Sequence, residues 1–205
     1  MGKIYYLMGK SSSGKDTIYK KLCEDKSLNL KTITGYTTRP IRDGEVNGRE
    51  YFFVDRDYFN RLVNDNMVIE YRNYNTVYGI WTYFTVDDGQ INLKLNDYIL
   101  IGTLESYEKV SAYFGSEKVV PVYIYVDDGE RLMRALTREM NQKEPKYEEM
   151  CRRFLADSRD FSKENIEKFN IKDKYENKDL NDCIKKISDM IKYHHRDMEK
   201  EDTLQ

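Results

Sequence analysis

The fold is decided near the start of the chain, by the stretch Gly9-Lys10-Ser11-Ser12-Ser13-Gly14-Lys15-Asp16-Thr17. This stretch follows the apolar run Ile4-Tyr5-Tyr6-Leu7-Met8, which has the composition of a buried strand, and it leads into a helical pattern. Its spacing matches G-x-x-x-x-G-K, in which the glycines let backbone N–H groups turn toward a phosphate and the following helix adds its positive N-terminus. The stretch predicts a phosphate-binding loop, and a serine- and glycine-rich turn before a helix is the alternative.

The end of this loop carries the charged groups that would act on a nucleotide. Residues 9–17 are all predicted to line the nucleotide site, and Lys15 would reach the terminal phosphates as a point charge. The next position usually holds a hydroxyl that binds Mg²⁺, but here it is Asp16, and the hydroxyl of Thr17 comes one residue later. Because a carboxylate is a hard oxygen ligand, Asp16 is predicted to contact Mg²⁺, directly or through water.

Strand-like runs alternate with helical patterns along much of the chain. Residues 98–101 and 119–126 are compact apolar runs, and the helical stretches 105–114 and 130–140 follow them. Repetition of this kind implies right-handed strand–helix–strand units. The predicted fold class is therefore α/β, with a parallel-sheet core flanked by helices.

The middle of the chain has a different character, being dense in aromatic residues and short strand-like pieces. It predicts an inserted subdomain at about residues 35–95 within a single domain whose core is formed by about 1–34 and 96–193. An irregular stretch at about 139–150 separates two helices that carry arginines, which predicts a mobile lid. Beyond residue 193 nothing apolar repeats, so residues 194–205 are predicted to be a charged, disordered tail.

Composition limits the classes of function. The 34 basic and 36 acidic residues nearly cancel, so no global positive field favours nucleic acid. Three widely spaced cysteines (Cys23, Cys151 and Cys183) form no CxxC pair and fit a reducing compartment, which predicts a cytoplasmic protein. The 2 histidines, His194 and His195, lie near the C-terminus and leave no material for a histidine metal site or a Ser-His-Asp triad. The apolar N-terminal run is too short to span a membrane.

A second informative stretch, TTRPIRDGEVNGREYFFV, occupies residues 37–54. Arg39 and Arg42 flank a proline that stiffens the loop, so the two guanidinium groups can fork onto one phosphate. The tyrosine that follows the two glycines can add a hydroxyl donor. The alternative is an exposed loop in which the arginines form salt bridges with the neighbouring acidic residues, Asp43 and Glu45.

Together, the phosphate loop and the motif T-T-R-P-x-R-x-G-E-x-x-G-x-x-Y-x-F-V resemble the guanylate kinase family, over about residues 3–193. Glu70, within Val68-Ile69-Glu70-Tyr71, is similar to the glutamate of the family's F-I-E-W strand, and Tyr78-Gly79 resembles the Y-Y-G that follows it. Three later residues resemble the family's lid, post-lid and adenine-pocket positions: Arg138, Arg153 and Asn177.

This resemblance implies a P-loop kinase fold with a nucleotide-monophosphate-binding insertion and a lid. It implies transfer of the γ-phosphoryl group of ATP to GMP, or to dGMP, with Mg²⁺. Partners would be these small molecules, with no nucleic acid and no membrane, and the protein would be a monomer or a homodimer. The resemblance implies a GMP site formed by Arg39, Arg42, Tyr51, Glu70, Tyr78 and Thr103. It implies that the transferred phosphoryl group is surrounded by Lys15, Arg39, Arg138 and Arg153.

For three of these residues a structural interpretation stays open. Glu70 could be an exposed strand carboxylate, while Arg138 and Arg153 could lie on a solvated helix face. The phosphate chemistry itself does not need a general base, because phosphoryl transfer is catalysed mainly by positioning and by cations around the spreading charge.

The departures from the family pattern cluster in the expected base pocket. The family's serine before T-T-R is Gly35 here, its hydroxyl residue after Y-G is Ile80, and its D-x-D motif is replaced by Ile101-Gly102-Thr103. Each ligand group left buried and unsatisfied costs roughly 1–3 kcal/mol. Thr103 can still offer a hydroxyl. Two alternatives follow: a kinase of the same fold with a shifted or relaxed acceptor, and a catalytically inactive binding module, which the intact phosphate loop argues against.

Overall fold

The computed structural model describes residues 1–76 and 79–203, with the backbone alone for 197–203. The strands are β1 (Ile4–Met8), β2 (Leu30–Thr32), β3 (Tyr36–Thr37), β4 (Phe52–Phe53), β5 (Val68–Thr76), β6 (Gly79–Val86), β7 (Asp97–Ile101), β8 (Val119–Tyr125) and β9 (Lys174–Glu176). The α-helices are α1 (Lys15–Glu24), α2 (Arg56–Asn64), α3 (Leu104–Phe114), α4 (Asp128–Met140), α5 (Tyr147–Asp160), α6 (Lys163–Lys168) and α7 (Leu180–Thr203).

The main sheet is parallel throughout, with the strand order β2-β7-β1-β8-β9. Its central strand β1 is buried along its whole length, which explains why its sequence is a continuous apolar run rather than an alternating one. Side chains still alternate between the two faces. Ile4, Tyr6 and Met8 pack in one hydrophobic cluster with α3, and Tyr5 and Leu7 pack in the other with α1 and α7. The predicted α/β class and parallel core are confirmed.

A second sheet, with the order β4-β3-β6-β5, lies within residues 35–95. Its main pairs, β3 with β6 and β5 with β6, are antiparallel, and it has a hydrophobic cluster of its own that includes Phe59 of α2 and Phe84 of β6. The β5–β6 register shifts between Val68 and Glu70, as at a β-bulge. Such a shift re-aims the side chains that follow it, and Glu70 is the first residue after it.

Helix α7 extends past residue 194, where the sequence predicts that a charged, disordered tail begins, and the disorder of that tail stays a prediction. The backbone of α7 continues to Thr203. Polar contacts anchor it where the apolar repeat stops: the His194 ring stacks on Tyr5 with centroids 5.9 Å apart, and His195 Nε2 lies 2.7 Å from Asp97 Oδ2. An apolar repeat is therefore not the only device that holds this segment against the core.

Candidate active site

The phosphate loop connects β1 to α1, and its backbone conformation requires glycine. Gly14 has a φ of 83°, and a Cβ atom there would lie 2.4 Å from Asn177 Nδ2. Asn177 is buried, and its Nδ2 donates a hydrogen bond of 2.8 Å to the carbonyl oxygen of Ser13. A Cβ atom on Gly9 would lie 2.6 Å from the carbonyl oxygen of Ile124. The loop is thus fixed by close approach to β8 and by an asparagine that follows β9.

The two lysines of the loop differ in their partners. Lys10 Nζ donates to both oxygens of Asp128, at 3.0 and 3.1 Å, so its charge is already paired. Among the described carboxylates, only that of Asp16 lies near Lys15 Nζ, at 3.9 Å, and the Asp16 side chain is 86% exposed. The hydroxyl of Ser12 is buried without a hydrogen-bond partner among the described residues. The first-turn amides of α1 have no intrahelical acceptors. This unpaired set of donors suits a phosphate chain.

A buried arginine that the sequence analysis missed braces the loop from behind. Arg131 of α4 is 1% exposed; it donates to Asp128 and Asp157 and to the carbonyl oxygen of Ser11, and it stacks on Phe154. Asp157 also accepts the Ser11 backbone N–H, at 2.7 Å. These contacts connect α4 and α5 to the phosphate loop. No local motif marks Arg131, since its partners in the loop and α5 are distant in the sequence.

The two arginines of the predicted lid face the phosphate loop. Helices α4 and α5, with the turn between them, contribute Arg138 and Arg153 to a cavity of about 150 Å³ that Ser11 and Ser12 also line. Both arginines are exposed, and the nearest carboxylate to Arg138 is that of Glu139, at 3.8 Å. Their place beside the loop fits the predicted catalytic role, while their exposure also fits a solvated helix face. The role of each stays a prediction.

Arg39 is buried rather than part of an exposed loop. Only 4% of it is exposed, and its guanidinium makes a bidentate pair with Glu45, with N–O distances of 2.8 and 2.5 Å. It also donates to the hydroxyl of Tyr83 and to the carbonyl oxygen of Pro40. The hydrogen bonds from Arg39 lower the pKa of Glu45 to about 2, so the pair stays ionised at neutral pH. The salt bridge to Glu45 that the alternative predicts does form, but in a buried setting.

The other predicted phosphate ligands are more open. The Arg42 side chain is exposed and has no hydrogen bond or ion pair with any described residue, while its backbone N–H donates to Glu45 at 2.8 Å. The Tyr51 ring packs edge-on against Tyr83, with centroids 5.5 Å apart, and burial raises the pKa of its hydroxyl. Tyr78, the remaining predicted ligand, lies outside the described residues.

A cavity of about 530 Å³ is lined by residues from both predicted sites, although Lys15, Arg39 and Arg42 are not among them. Asp16 at the start of α1, Tyr51 and Glu70 all line it. Glu70 is 3% exposed, so the interpretation as an exposed strand carboxylate is wrong. Its Oε1 accepts a hydrogen bond of 2.9 Å from Thr85, and its Oε2 lies 3.3 Å from Arg72 Nε. Arg72 was also missed, although a period of two along β5 places it on the same face as Glu70.

The positions that depart from the family pattern have separate environments. Gly35 and Ile101 line the 530 Å³ cavity, where neither offers a polar side chain. Ile80 of β6 is 53% exposed, and its side chain is not part of the cavity wall. The Thr103 hydroxyl caps α3 by accepting the N–H of Ser106 at 3.3 Å, and Thr103 lines the adjacent cleft instead. Thr103 is therefore a helix cap here, and its predicted contact with GMP stays a prediction.

The acidic side chains near the phosphate loop fit a Mg²⁺ ion that takes most of its ligands from substrate phosphates and water. Within residues 1–76 and 79–203 there is no group of three or more His, Cys, Asp or Glu placed to hold a metal. Asp16 offers one solvent-exposed carboxylate beside the loop. Mg²⁺ commonly binds through one or two carboxylates together with substrate phosphates and water.

No helix among the described residues has the length and apolarity to cross a membrane.

Comparison with known proteins supports the predicted fold and family. The guanylate kinase family model matches residues 1–194. A guanylate kinase of Mycoplasma mobile is 30% identical over 198 residues, which cover 93% of this chain and 92% of that protein. The crystal structure of guanylate kinase from Anaplasma phagocytophilum superposes with a TM-score of 0.63 at 21% identity, covering 94% of this chain and 86% of that one, and supports the fold. The chain belongs to the guanylate kinase family, the P-loop nucleoside monophosphate kinases that phosphorylate GMP to GDP with ATP.

Proposed function

We propose that the protein transfers the γ-phosphoryl group of ATP to GMP in the cleft between the phosphate loop and the second sheet. One observation carries the proposal: Asp16 of the ATP side and Tyr51 and Glu70 of the acceptor side line the same cavity. Two phosphate-binding elements that open into one space can bring a donor and an acceptor phosphate together. Membership of the family supports GMP as the acceptor and ATP as the donor.

On the ATP side, the loop of residues 9–17 would hold the phosphate chain and Lys15 would neutralise its terminal charge. Asn177 would act through the loop, because its amide is spent on the carbonyl oxygen of Ser13. Arg138 and Arg153 would approach the transferred group from the lid helices, and the cavity that they share with Ser11 and Ser12 supports this role. These cations would stabilise the charge that spreads over the phosphoryl oxygens in the transition state.

On the acceptor side, Arg39 and Arg42 would hold the phosphate of GMP with the hydroxyl of Tyr51. Glu45 keeps the Arg39 guanidinium fixed in advance, so less conformational entropy is lost when the phosphate binds. Glu70 would accept hydrogen bonds from the N1–H and N2–H₂ groups of guanine. Tyr78 would add a further hydroxyl.

Magnesium and the cellular setting complete the proposal. Mg²⁺, when bound with ATP, would offset phosphate charge, and Asp16 would hold it directly or through water. The cysteines Cys23, Cys151 and Cys183 are free, which supports a reducing cytoplasm as the compartment. The partners would be the small-molecule substrates alone, with a monomer or a homodimer as the working form.

The test is a coupled assay of ADP formation with ATP, Mg²⁺ and one monophosphate at a time: GMP, dGMP, IMP, AMP, CMP and UMP. We expect GMP to give the highest kcat/KM. Lys15→Ala, purified in parallel, is the background control. A clear preference for a pyrimidine monophosphate, or no turnover with any acceptor, would refute the proposal.

A further inference from the structure

The base end of the acceptor cavity contains a buried ion pair that is not hydrogen-bonded. Arg72 Nε lies 3.3 Å from Glu70 Oε2, yet both atoms are buried without a hydrogen-bond partner among the described residues. The Arg72 side chain is 18% exposed and that of Glu70 is 1% exposed. Buried donors and acceptors in native structures nearly always have a hydrogen-bond partner. A buried donor and acceptor that face each other without a hydrogen bond therefore need an explanation. Both atoms are therefore free to form hydrogen bonds with a bound ligand.

The rest of the pocket wall leaves few donors for a base. Thr85 has one proton and donates it to Glu70 Oε1. The Tyr6 hydroxyl shares a hydrogen bond of 2.5 Å with Ser106 Oγ, and Gly35 has no side chain to offer. Of the two described side chains that pair with Glu70, Thr85 and Arg72, only Arg72 therefore has donors to spare. Its one side-chain hydrogen bond to a described residue, from Nη1 to Thr103 Oγ1, is long at 3.4 Å.

We propose that Arg72 is a second reader of the acceptor base, and that it donates hydrogen bonds to O6 of guanine while Glu70 accepts from N1–H and N2–H₂. The inference rests on the proposed function, since it names how that same site selects its substrate. Guanine presents an acceptor beside two donors along one edge, which is the complement of a guanidinium beside a carboxylate. Arginine is the usual side chain for this carbonyl in nucleic-acid recognition, where it reaches O6 and N7.

When guanine binds, Glu70 and Arg72 would each gain a hydrogen-bond partner on the base, and neither charge would be left buried without a partner. The guanine N–H groups replace the guanidinium at Glu70 Oε2, and the guanidinium turns to the neighbouring carbonyl while it stays within Coulombic reach of the carboxylate. Adenine is disfavoured twice, because its amino group faces the arginine donors and its unprotonated N1 faces the carboxylate. A site that hydrogen-bonds its substrate rejects analogues that leave these groups unpaired.

The experiment compares kcat/KM for GMP, IMP and 6-thio-GMP in the wild type, Arg72→Met, Arg72→Lys and Glu70→Gln. IMP lacks only the 2-amino group and so reports on Glu70. 6-Thio-GMP keeps both N–H donors but carries sulfur, a poorer acceptor, at position 6, and so reports on Arg72. Arg61→Met, which removes an exposed arginine of α2 outside the cavity, is the matched control.

We expect the wild type to prefer GMP over 6-thio-GMP by roughly tenfold, and Arg72→Met to lower kcat/KM for GMP by roughly 10- to 100-fold, mainly through KM. In Arg72→Met the preference for GMP over 6-thio-GMP should vanish while the preference for GMP over IMP remains. Arg72→Lys should restore part of the first ratio, and Glu70→Gln should reduce the second. Thermal unfolding of each variant is recorded, because Arg72→Met leaves the Glu70 carboxylate without its counter-ion.

Each remaining outcome overturns the inference. An unchanged GMP to 6-thio-GMP ratio in folded Arg72→Met means that Arg72 is only the counter-ion of Glu70. Tighter GMP binding in Arg72→Met means that the arginine competes with the base. If the wild type does not phosphorylate GMP at all, the proposed function fails first, and that result is distinct from a wild type that is active with GMP but indifferent to sulfur at position 6.

Discussion

The two ends of the substrate cleft differ in how their polar groups are occupied. On the ATP side, Lys15 has no hydrogen-bonded partner and the hydroxyl of Ser12 is unpaired among the described residues. On the acceptor side, four of the five N–H groups of Arg39 are already bonded, to Glu45, Tyr83 and a backbone carbonyl. The polar groups at the first end are mostly without hydrogen-bond partners, whereas those at the second end are paired with one another. Variants of the first should therefore lose catalysis with little loss of stability, and some variants of the second should lose both.

The largest effect should come from the ATP side. Lys15→Ala removes a charge whose nearest described carboxylate, that of Asp16, lies 3.9 Å away, so we expect kcat to fall at least ~100-fold with little change in the thermal unfolding midpoint. Steady-state kinetics and a thermal melt of the same preparation measure the two quantities. Lys21→Ala, an exposed lysine one turn and a half further along α1, is the matched control and should be neutral. Retention of more than a tenth of the wild-type kcat would contradict the assignment of the phosphate loop.

The features that were predictable from the sequence are those whose physics is local. The strand–loop–helix unit around Gly14 and Lys15 follows from glycine conformation and helix polarity within a short stretch of chain. Arg39 and Arg42 were found for the same reason, since a proline fixes the loop between them. The parallel core was also predictable, because each of its strands is a continuous apolar run, which by itself indicates a buried strand.

The features that were missed depend on contacts between distant parts of the chain. Arg131 contacts Ser11 across 120 positions and Asp157 across 26, so nothing in its neighbourhood marks it as the buried brace of the loop. Arg72 is closer to Glu70, and the period of β5 could have revealed it. The proposed role of Arg72 depends on Gly35 and Ile101, which line the same cavity and supply no polar side chain. The sequence alone does not show that these three residues share a cavity.

The second comparison lies within the acceptor side. Arg42→Ala removes an exposed guanidinium that has no hydrogen bond or ion pair with a described residue, so we expect KM for GMP to rise by roughly tenfold, at the low end of the ~1.5–3 kcal/mol that a charge-assisted hydrogen bond contributes. Arg39→Ala should raise KM for GMP more and also lower the unfolding midpoint, because Glu45 and Tyr83 lose their partner. KM for ATP should change little in either variant.

Isothermal titration with GMP and with ATP, next to a thermal melt, separates these contributions. Lost ATP affinity with intact GMP affinity would reverse the roles of the two sites. Equal destabilisation by Arg39→Ala and Arg42→Ala would remove the distinction between an internally paired arginine and an open one.

The smallest expected effect concerns Asp16, where the loop departs from its usual hydroxyl. The side chain is 86% exposed and would supply at most one ligand to an ion that is otherwise held by phosphate oxygens and water. We therefore expect Asp16→Asn to raise the Mg²⁺ concentration needed for half-maximal activity by about two- to fourfold, with kcat at saturating Mg²⁺ close to that of the wild type. Titration of activity with Mg²⁺ at fixed ATP measures this, with Asp189→Asn, which alters an exposed carboxylate of α7 outside the cavity, as the control. A shift above about tenfold would make Asp16 a direct and dominant ligand, whereas a larger shift in Thr17→Ala than in Asp16→Asn would move the metal contact to the displaced hydroxyl.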